Sequence, residues 1–285
     1  MKKKLIAGLL VGAMAVSLLD CGASKTEEAP AAGDSAAEET AEAEPVTLNV
    51  FAAASMTETL TEIQEMYKDV APNVTLVFNF DSSGTLKTQI QEGADCDLFI
   101  SAAQKQMNQL DKDADPEVNT EGLDYVLEGT RVNLLENKVV LAVPDGNPKD
   151  IESFEDLGTD RLSLLALGNE DVPVGQYSTE ILTNLGILDS LEAEGKITYG
   201  SNVKEVTTQV SEAAADAGII YATDAFSAGL TVVDQAEGDL CKQVIYPAAV
   251  LNTSRNPEAA KEFLAYLQTD TCMQVFEAVG FTAAE

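Results

Sequence analysis

The sequence contains neither histidine nor tryptophan among its 285 residues. Histidine is the commonest general base and a common metal ligand, and its absence excludes the serine and cysteine nucleophiles that a histidine activates. We therefore expect a protein that is not an enzyme, that needs no cofactor and that holds no metal ion through direct protein ligands.

Cysteine is also scarce, and its four positions follow no metal-binding or redox spacing: Cys21, Cys96, Cys241 and Cys272. Without a CxxC pair, the sequence predicts neither a zinc knuckle nor a dithiol redox centre. Cys96 precedes an apolar strand and is expected in the core. Cys241 and Cys272 could form a disulfide in an exported protein, or they could remain free thiols.

Basic residues are few. The sequence has 17 Lys and Arg and 48 Asp and Glu, which gives a formal net charge of −31. A nucleic acid is therefore not expected as a partner, because phosphate neutralisation requires a basic face. A small anion remains compatible with this charge. Salt screens charges beyond about 8–10 Å and leaves nearby dipoles to determine the local potential.

The first 21 residues have the composition of an export signal. Lys2–Lys4 form a basic start, and the apolar stretch Leu5–Leu19 is short and rich in Gly and Ala, which favours a secretory signal over a transmembrane helix. Leu18–Cys21 is similar to the bacterial lipoprotein processing box, which implies acylation of Cys21 and a lipid anchor at the periplasmic or cell-surface face of the membrane. Asp20 departs from that box, and an ordinary cleaved signal is the alternative.

Residues 22–45 are mostly small and acidic, with no aromatic or large aliphatic side chain. Such a segment cannot bury enough apolar surface to offset the entropy of ordering it. The sequence therefore predicts a disordered acidic tether between the anchor and a folded part.

From Val46 onward, short apolar strands alternate with amphipathic helices, a pattern typical of an α/β fold with parallel strands. About 240 residues in two such runs indicate two lobes. We predict that residues 46–138 and 245–285 form lobe 1 and that residues 139–244 form lobe 2, with the chain crossing between the lobes near both boundaries.

Three predicted strands end in hydroxyl-bearing turns that lead into helices: Phe51–Ser55, Phe80–Thr85 and Asp97–Ala102. Each turn would place free backbone N–H groups and a helix N-terminus at the C-terminal ends of parallel strands. No Lys or Arg lies in these turns. The sequence therefore predicts an anion site that works through dipoles rather than through a counter-charge.

Together with two later segments, these turns resemble the molybdate-binding protein family, the extracytoplasmic receptors of molybdate ABC importers. The matching segments, in the family's order, are Phe51–Ser55, Phe80–Leu86, Asp97–Ala102, Val172–Tyr177 and Gly218–Ala225. The resemblance covers residues 46–285. It implies a two-lobed periplasmic-binding-protein-like fold of type II, in which each lobe is a mostly parallel sheet flanked by helices and the ligand lies in the cleft between the lobes.

The resemblance also implies which residues would hold molybdate, and tungstate as well. Ser55 and Ser83 would donate through their hydroxyl and backbone N–H groups, Ala102 and Val172 through backbone N–H, and Tyr221 through its phenol. A tetrahedral dianion without a proton requires donors only, which these groups supply. Molybdenum would be present only within the bound oxyanion, the partner would be a membrane permease, and the protein would act as a monomer.

Several of these residues have simpler structural alternatives. Ser55 could cap a helix that begins at Met56, and Tyr221 could be an ordinary buried aromatic residue. Ser82 is expected to be a turn or capping residue, and Asp224 is expected to brace a turn because its carboxylate would repel an anion.

The sequence also leaves three other functions open. Asp81 lies beside the second turn, where it could accept a proton from hydrogen phosphate, so a receptor for phosphate, or for sulfate, is an alternative. Ser201–Lys204 matches the S-x-x-K pattern of Ser–Lys hydrolases, although the partner motifs are missing. A purely structural or adhesive surface domain would leave the three hydroxyl-bearing turns unexplained.

Overall fold

The structure is a computed structural model that describes residues 44–284. The predicted signal, Cys21 and nearly all of the predicted tether lie outside the described residues. Within residues 44–284, no helix combines the length and the apolar character needed to cross a membrane.

Strands and helices alternate along most of the described chain. The strands are β1 (Val46–Ala53), β2 (Val74–Asp81), β3 (Leu98–Ile100), β4 (Val132–Asn137), β5 (Val139–Val143), β6 (Leu165–Gly168), β7 (Ile197–Gly200), β8 (Ala217–Tyr221), β9 (Thr231–Gln235), β10 (Val244–Val250) and β11 (Thr282–Ala283). The α-helices are α1 (Thr57–Val70), α2 (Ser83–Gln91), α3 (Gln104–Asn108), α4 (Pro173–Asn184), α5 (Leu188–Ala193), α6 (Val203–Ser211), α7 (Ala222–Ala228), α8 (Pro257–Leu267) and α9 (Asp270–Ala278).

The strands form two separate sheets, which define the two lobes of this protein. The first lobe is built on a six-stranded sheet with the order β11-β4-β10-β3-β1-β2, and the second on a five-stranded sheet with the order β7-β6-β8-β5-β9. The chain leaves the first sheet where β4 ends at Asn137, enters the second where β5 begins at Val139, and returns between Gln235 and Val244.

The predicted α/β class is confirmed, but the prediction that each sheet is mostly parallel is wrong. In the first sheet only the β1–β2 and β1–β3 pairs are parallel, whereas β10 runs antiparallel to both β3 and β4. In the second sheet β6 pairs in parallel with β7 and β8, whereas β5 is antiparallel to β8 and β9. The antiparallel pairs involve the strands that cross between the lobes, because these strands are not joined to their neighbours by the helical crossover that a parallel pair requires.

Alternate residues of β1 face the two sides of the first sheet, and each side has its own apolar core. Val50 and Ala52 belong to the larger cluster, which also contains residues of α1, α8 and α9. Phe51 belongs to a smaller cluster with residues of α2 and α3. The sheet is therefore covered on both faces, and the C-terminal end of β1 is held in a fixed position between helices.

The described cysteines are all free and buried, at Cys96, Cys241 and Cys272. Cys96 lies in the core as predicted. Of the two alternatives for Cys241 and Cys272, the structure shows free thiols and no disulfide.

Candidate anion-binding site

A small cavity of about 10 Å³ lies where the two lobes meet. Its lining contains all five predicted site residues and consists of Ala53, Ala54, Ser55, Asp81, Ser82, Ser83, Ala102, Val172, Pro173, Val203 and Tyr221. Every one of these residues except Asp81 is buried. A cavity of this size is far below the range typical of pockets for drug-sized ligands, about 300–1,000 Å³, and is about as large as one water molecule needs.

Four helices present their N-terminal ends to this cavity. The lining includes the first residues of α2 and α6, the N-cap of α7, and both the N-cap and first residue of α4. Helix N-termini carry partial positive charge and amides without an internal acceptor. None of the lining residues is Lys or Arg, so the positive potential in the cavity comes from these dipoles.

The phenol of Tyr221 is buried, and no group among residues 44–284 is in hydrogen-bond geometry with its oxygen, although the Tyr246 side chain lies nearby. Burial raises the pKa of Tyr221 well above its ordinary value, so the phenol keeps its proton at neutral pH. Buried polar groups in folded proteins almost always have a partner. An unpartnered donor in the wall of a cavity therefore indicates an acceptor that occupies the cavity.

The hydroxyl of Ser83 is a second donor. Its oxygen accepts a hydrogen bond from the Ala102 N–H at 2.9 Å, and within the described residues its proton has no acceptor. Ser83 is fully buried at the first position of α2, where its own N–H is one of the amides that a helix leaves without an internal acceptor. Both donor groups predicted for Ser83 are therefore placed at the cavity.

The neighbouring Ser82 also lines the cavity but is not equivalent to Ser83. Its oxygen accepts from the Thr85 N–H at 3.1 Å, and its hydroxyl donates to Thr85 Oγ1 at 2.8 Å. Ser82 is thus the N-cap of α2, as predicted, and its proton is not available to a ligand.

Ser55 does not cap a helix. It lies within a 3-10 turn at Ala54–Met56, and its Oγ is 2.9 Å from the hydroxyl of Tyr246. The capping alternative for Ser55 is therefore wrong. Tyr246, which the sequence analysis does not single out, is the residue that holds Ser55 in place.

The two predicted backbone donors have protein acceptors in this structure. The Ala102 N–H donates to Ser83, and the Val172 N–H donates to the carbonyl oxygen of Asn169 at 3.1 Å. Both residues line the cavity. Their direct donation to an anion stays a prediction, while Ala102 already orients the Ser83 hydroxyl.

Comparisons with known proteins show the family to which this chain belongs. The family model for "Bacterial extracellular solute-binding protein" matches residues 48–282. This chain belongs to that family. It is similar to the "Putative ABC transporter substrate-binding lipoprotein YvgL" of Bacillus subtilis, at 38% identity over 84% of this chain and 87% of the relative, and to the molybdate-binding protein ModA of Haemophilus influenzae, at 34% identity over 83% and 90%.

A solved structure, the periplasmic molybdate-binding protein of Azotobacter vinelandii, matches with a TM-score of 0.72 at 23% identity, over 84% of this chain and all of that one. The predicted periplasmic-binding-protein-like fold is confirmed by this likeness. The relatives confirm the predicted resemblance to the molybdate-binding proteins.

Two contacts join the lobes of this solute-binding protein beside the cavity. The Gly84 N–H of α2 donates to the carbonyl oxygen of Asp171 in the loop before α4, at 3.0 Å. Lys204 of α6 forms an ion pair with Glu58 of α1 at 2.7 Å. The structure is therefore in a closed arrangement.

Lys204 also contacts a buried carboxylate, that of Asp224, at 3.1 Å. Burial lowers the pKa of Lys204, but Asp224 and Glu58 together raise it above its ordinary value. The ammonium thus stays charged and paired, and the neighbouring Ser201 is exposed and has no such partner. This geometry does not support the Ser–Lys hydrolase alternative, in which the lysine must act as a base.

Asp224→Asn should remove a pH-dependent contribution to stability. Burial raises the pKa of Asp224 from 3.8 to about 6, although Lys204 lowers it in part. The pKa of Asp224 is higher in the folded state than in the unfolded state. This difference contributes fully to stability below about pH 4, and the contribution is lost as the pH rises through about 6. The wild type should therefore lose about 1–3 kcal/mol relative to Asp224→Asn between pH 4 and pH 7. Chemical denaturation at several pH values measures this difference.

The control for this experiment is Asp239→Asn, at an exposed position in the connection between β9 and β10. A stability difference between wild type and Asp224→Asn that stays constant from pH 4 to pH 7 would contradict the assignment.

Proposed function

We propose that this protein captures molybdate, and tungstate as well, outside the cytoplasm and delivers it to the membrane permease of an ABC importer. The observation that carries the proposal is the unpartnered phenol of Tyr221 in the wall of a small, donor-lined cavity. Such a cavity suits an anion that carries no proton, because the Ser83 and Tyr221 hydroxyls that line it donate. Molybdate and tungstate have nearly the same size and charge, so we expect both to bind.

The donors come from both lobes, which supports capture by closure. Ser55 and Ser83 belong to the first lobe, whereas Val172 and Tyr221 belong to the second. A ligand that contacts all four residues is enclosed only when the lobes meet, and its release requires them to separate. We expect the protein to act as a monomer, since each chain carries donors from both lobes.

The predicted anchor is part of the same proposal. A lipid on Cys21 would hold the receptor at the membrane that contains the permease, and the tether of residues 22–45 would let it move near the surface. The name of the Bacillus subtilis relative, which calls that protein a substrate-binding lipoprotein, supports this proposal.

A phosphate receptor is the second candidate because Asp81 lines the cavity. Its Oδ1 accepts the Ser82 N–H at 2.7 Å, which leaves its other carboxylate oxygen able to accept a proton from an anion. Hydrogen phosphate carries such a proton and molybdate does not, so the two candidates differ in the role they give to Asp81.

Calorimetry with a panel of oxyanions separates the two candidates. We expect molybdate and tungstate to bind at least two decades more tightly than sulfate and phosphate, a difference of roughly 2.7 kcal/mol or more. Asp81→Asn should bind molybdate at least as well as the wild type, because it removes a negative charge from the cavity wall. Comparable phosphate affinity in the wild type that Asp81→Asn abolishes would make the phosphate candidate correct.

Ser83→Ala and Tyr221→Phe should each weaken molybdate binding by about 1.5–3 kcal/mol, because each removes a donor to a buried charge. Ser82→Ala is the matched control, since it deletes the adjacent hydroxyl in the same cavity wall. The control should lower fold stability by about 1 kcal/mol through loss of the helix cap and leave the affinity nearly unchanged. Equal affinity losses in Ser83→Ala and Ser82→Ala would show that the assignment of Ser83 is wrong.

Gly84→Ala should impair closure while sparing the fold of each lobe. A Cβ on Gly84 would come within 2.3 Å of the Asp171 carbonyl oxygen, so the backbones could no longer approach as they do here. Overpacking of this kind costs about 1–3 kcal/mol, which corresponds to roughly a 5- to 150-fold loss of affinity. Stopped-flow measurements should show the loss mainly as faster release of molybdate.

Gly238→Ala is the control for Gly84→Ala, because a Cβ at Gly238 would meet nothing within 4 Å. Release from Gly84→Ala at the wild-type rate would mean that the Gly84–Asp171 contact does not take part in closure.

A further inference from the structure

Behind Ser55, a chain of buried hydrogen bonds leads away from the cavity. Tyr246 Oη is 2.9 Å from Ser55 Oγ, and Asn137 Nδ2 is 3.2 Å from the same Tyr246 oxygen. All three residues are buried, yet neither Tyr246 nor Asn137 lines the cavity. Their hydrogen bonds reach the cavity lining through Ser55, while the ring of Tyr246 also packs against that of Tyr221.

The orientation of the Asn137 amide is fixed by its neighbours. Its Oδ1 accepts the Lys138 N–H at 2.8 Å, and its Nδ2 donates to Thr223 Oγ1 at 2.9 Å as well as to Tyr246. A flipped amide would set its NH₂ group against the Lys138 N–H, and two donors cannot bond to each other. The nitrogen of Asn137 therefore faces Tyr246.

The direction of the remaining bond follows from this orientation. The amide nitrogen of Asn137 only donates, so the Tyr246 oxygen accepts from it, and the single Tyr246 proton is left for Ser55. Burial raises the pKa of Tyr246 well above its ordinary value, so this proton is retained at neutral pH. Ser55 Oγ accepts from Tyr246 and keeps its own proton for the cavity.

The Ser83 hydroxyl is also held as a donor, but by a different group. The Ala102 N–H donates to the Ser83 oxygen at 2.9 Å and so occupies one of its lone pairs. A serine hydroxyl ordinarily donates or accepts by rotating its proton. At Ser55 and Ser83 a fixed donor behind the oxygen favours the rotamer that donates toward the cavity.

We propose that Tyr246 and Asn137 are positioning residues that fix the Ser55 hydroxyl as a donor and thereby make the cavity discriminate against anions that carry a proton. This inference rests on the proposed function, because it assigns the basis of selectivity to the same site. According to this proposal, Tyr246 and Asn137 influence which anion binds although neither residue lines the cavity.

Tyr246→Phe tests the proposal because it deletes the hydroxyl and keeps the ring. The ring packs against Phe281 and Tyr221 at centroid distances of 5.3 and 5.8 Å, and these contacts survive the change. Released from Tyr246, Ser55 could rotate its proton and accept. We expect calorimetry of the protein to show about a tenfold loss of molybdate affinity, and the ratio of phosphate to molybdate affinity should rise by a similar factor.

A double-mutant cycle with Ser55→Ala distinguishes positioning from a general structural effect. If Tyr246 acts through Ser55, the double variant should bind molybdate no more weakly than Ser55→Ala alone. Tyr67→Phe is the matched control, because Tyr67 is also a buried tyrosine of the first lobe but lies among residues of α8, away from the cavity. It should bind all the anions as the wild type does.

Asn137→Asp provides a second variant that does not depend on Tyr246→Phe being folded. A carboxylate at position 137 would accept the Tyr246 proton, so Tyr246 would then accept from Ser55 and turn the serine proton away from the cavity. Molybdate affinity should fall by more than in Tyr246→Phe. Thermal melting without ligand identifies any variant that is unfolded.

Unchanged affinity and selectivity in Tyr246→Phe, or losses that simply add in the double variant, would overturn the positioning role and leave the proposed function standing. A wild-type protein that binds none of the oxyanions would instead contradict the proposed function itself, and the positioning role with it.

Discussion

The absence of any cation from a donor-lined cavity inside a strongly acidic protein is the constraint on which the proposed anion site depends. The chain carries a formal net charge of −31, and no Lys or Arg lines the cavity between the lobes. A buried anion without a counter-charge is stabilised only by hydrogen bonds and oriented dipoles. The groups that meet this requirement are the helix N-termini, the hydroxyls of Ser55 and Ser83, and the Tyr221 phenol.

The same constraint explains why closure matters. An anion held by dipoles gains most when water is excluded, because the interaction weakens in a medium of high dielectric constant. The backbones of the two lobes approach closely at Gly84 and Asp171, where a larger side chain has no room. The ion pair between Lys204 and Glu58 adds a contact between the lobes without placing a cation against the ligand.

Polar groups outside the cavity are arranged in support of those that line it. Asn137 stands where the chain crosses from the first sheet to the second, and its amide reaches both Tyr246 in β10 and Thr223 in α7. Asp224 is buried behind Tyr221, where Lys204 balances its charge. The hydrogen bonds and the ion pair of these groups lie outside the cavity lining, and the serine and tyrosine hydroxyls in the lining remain as donors.

The sequence by itself determined the α/β class, the hydroxyl-bearing turns and the dipolar character of the site, because these depend on local periodicity and on which residues end each strand. The five predicted site residues line one cavity, but their prediction came from the resemblance to the molybdate-binding proteins and not from local periodicity. The local sequence pattern did not predict α9, β11 or the antiparallel pairing of the strands where the chain passes between the lobes, because the partners of these elements lie far away in the chain. Only the tertiary structure brings Tyr246 to Ser55 across 191 positions and Asp171 to Gly84. The direction in which a serine donates depends on such distant partners, so it was decided by packing rather than by any motif.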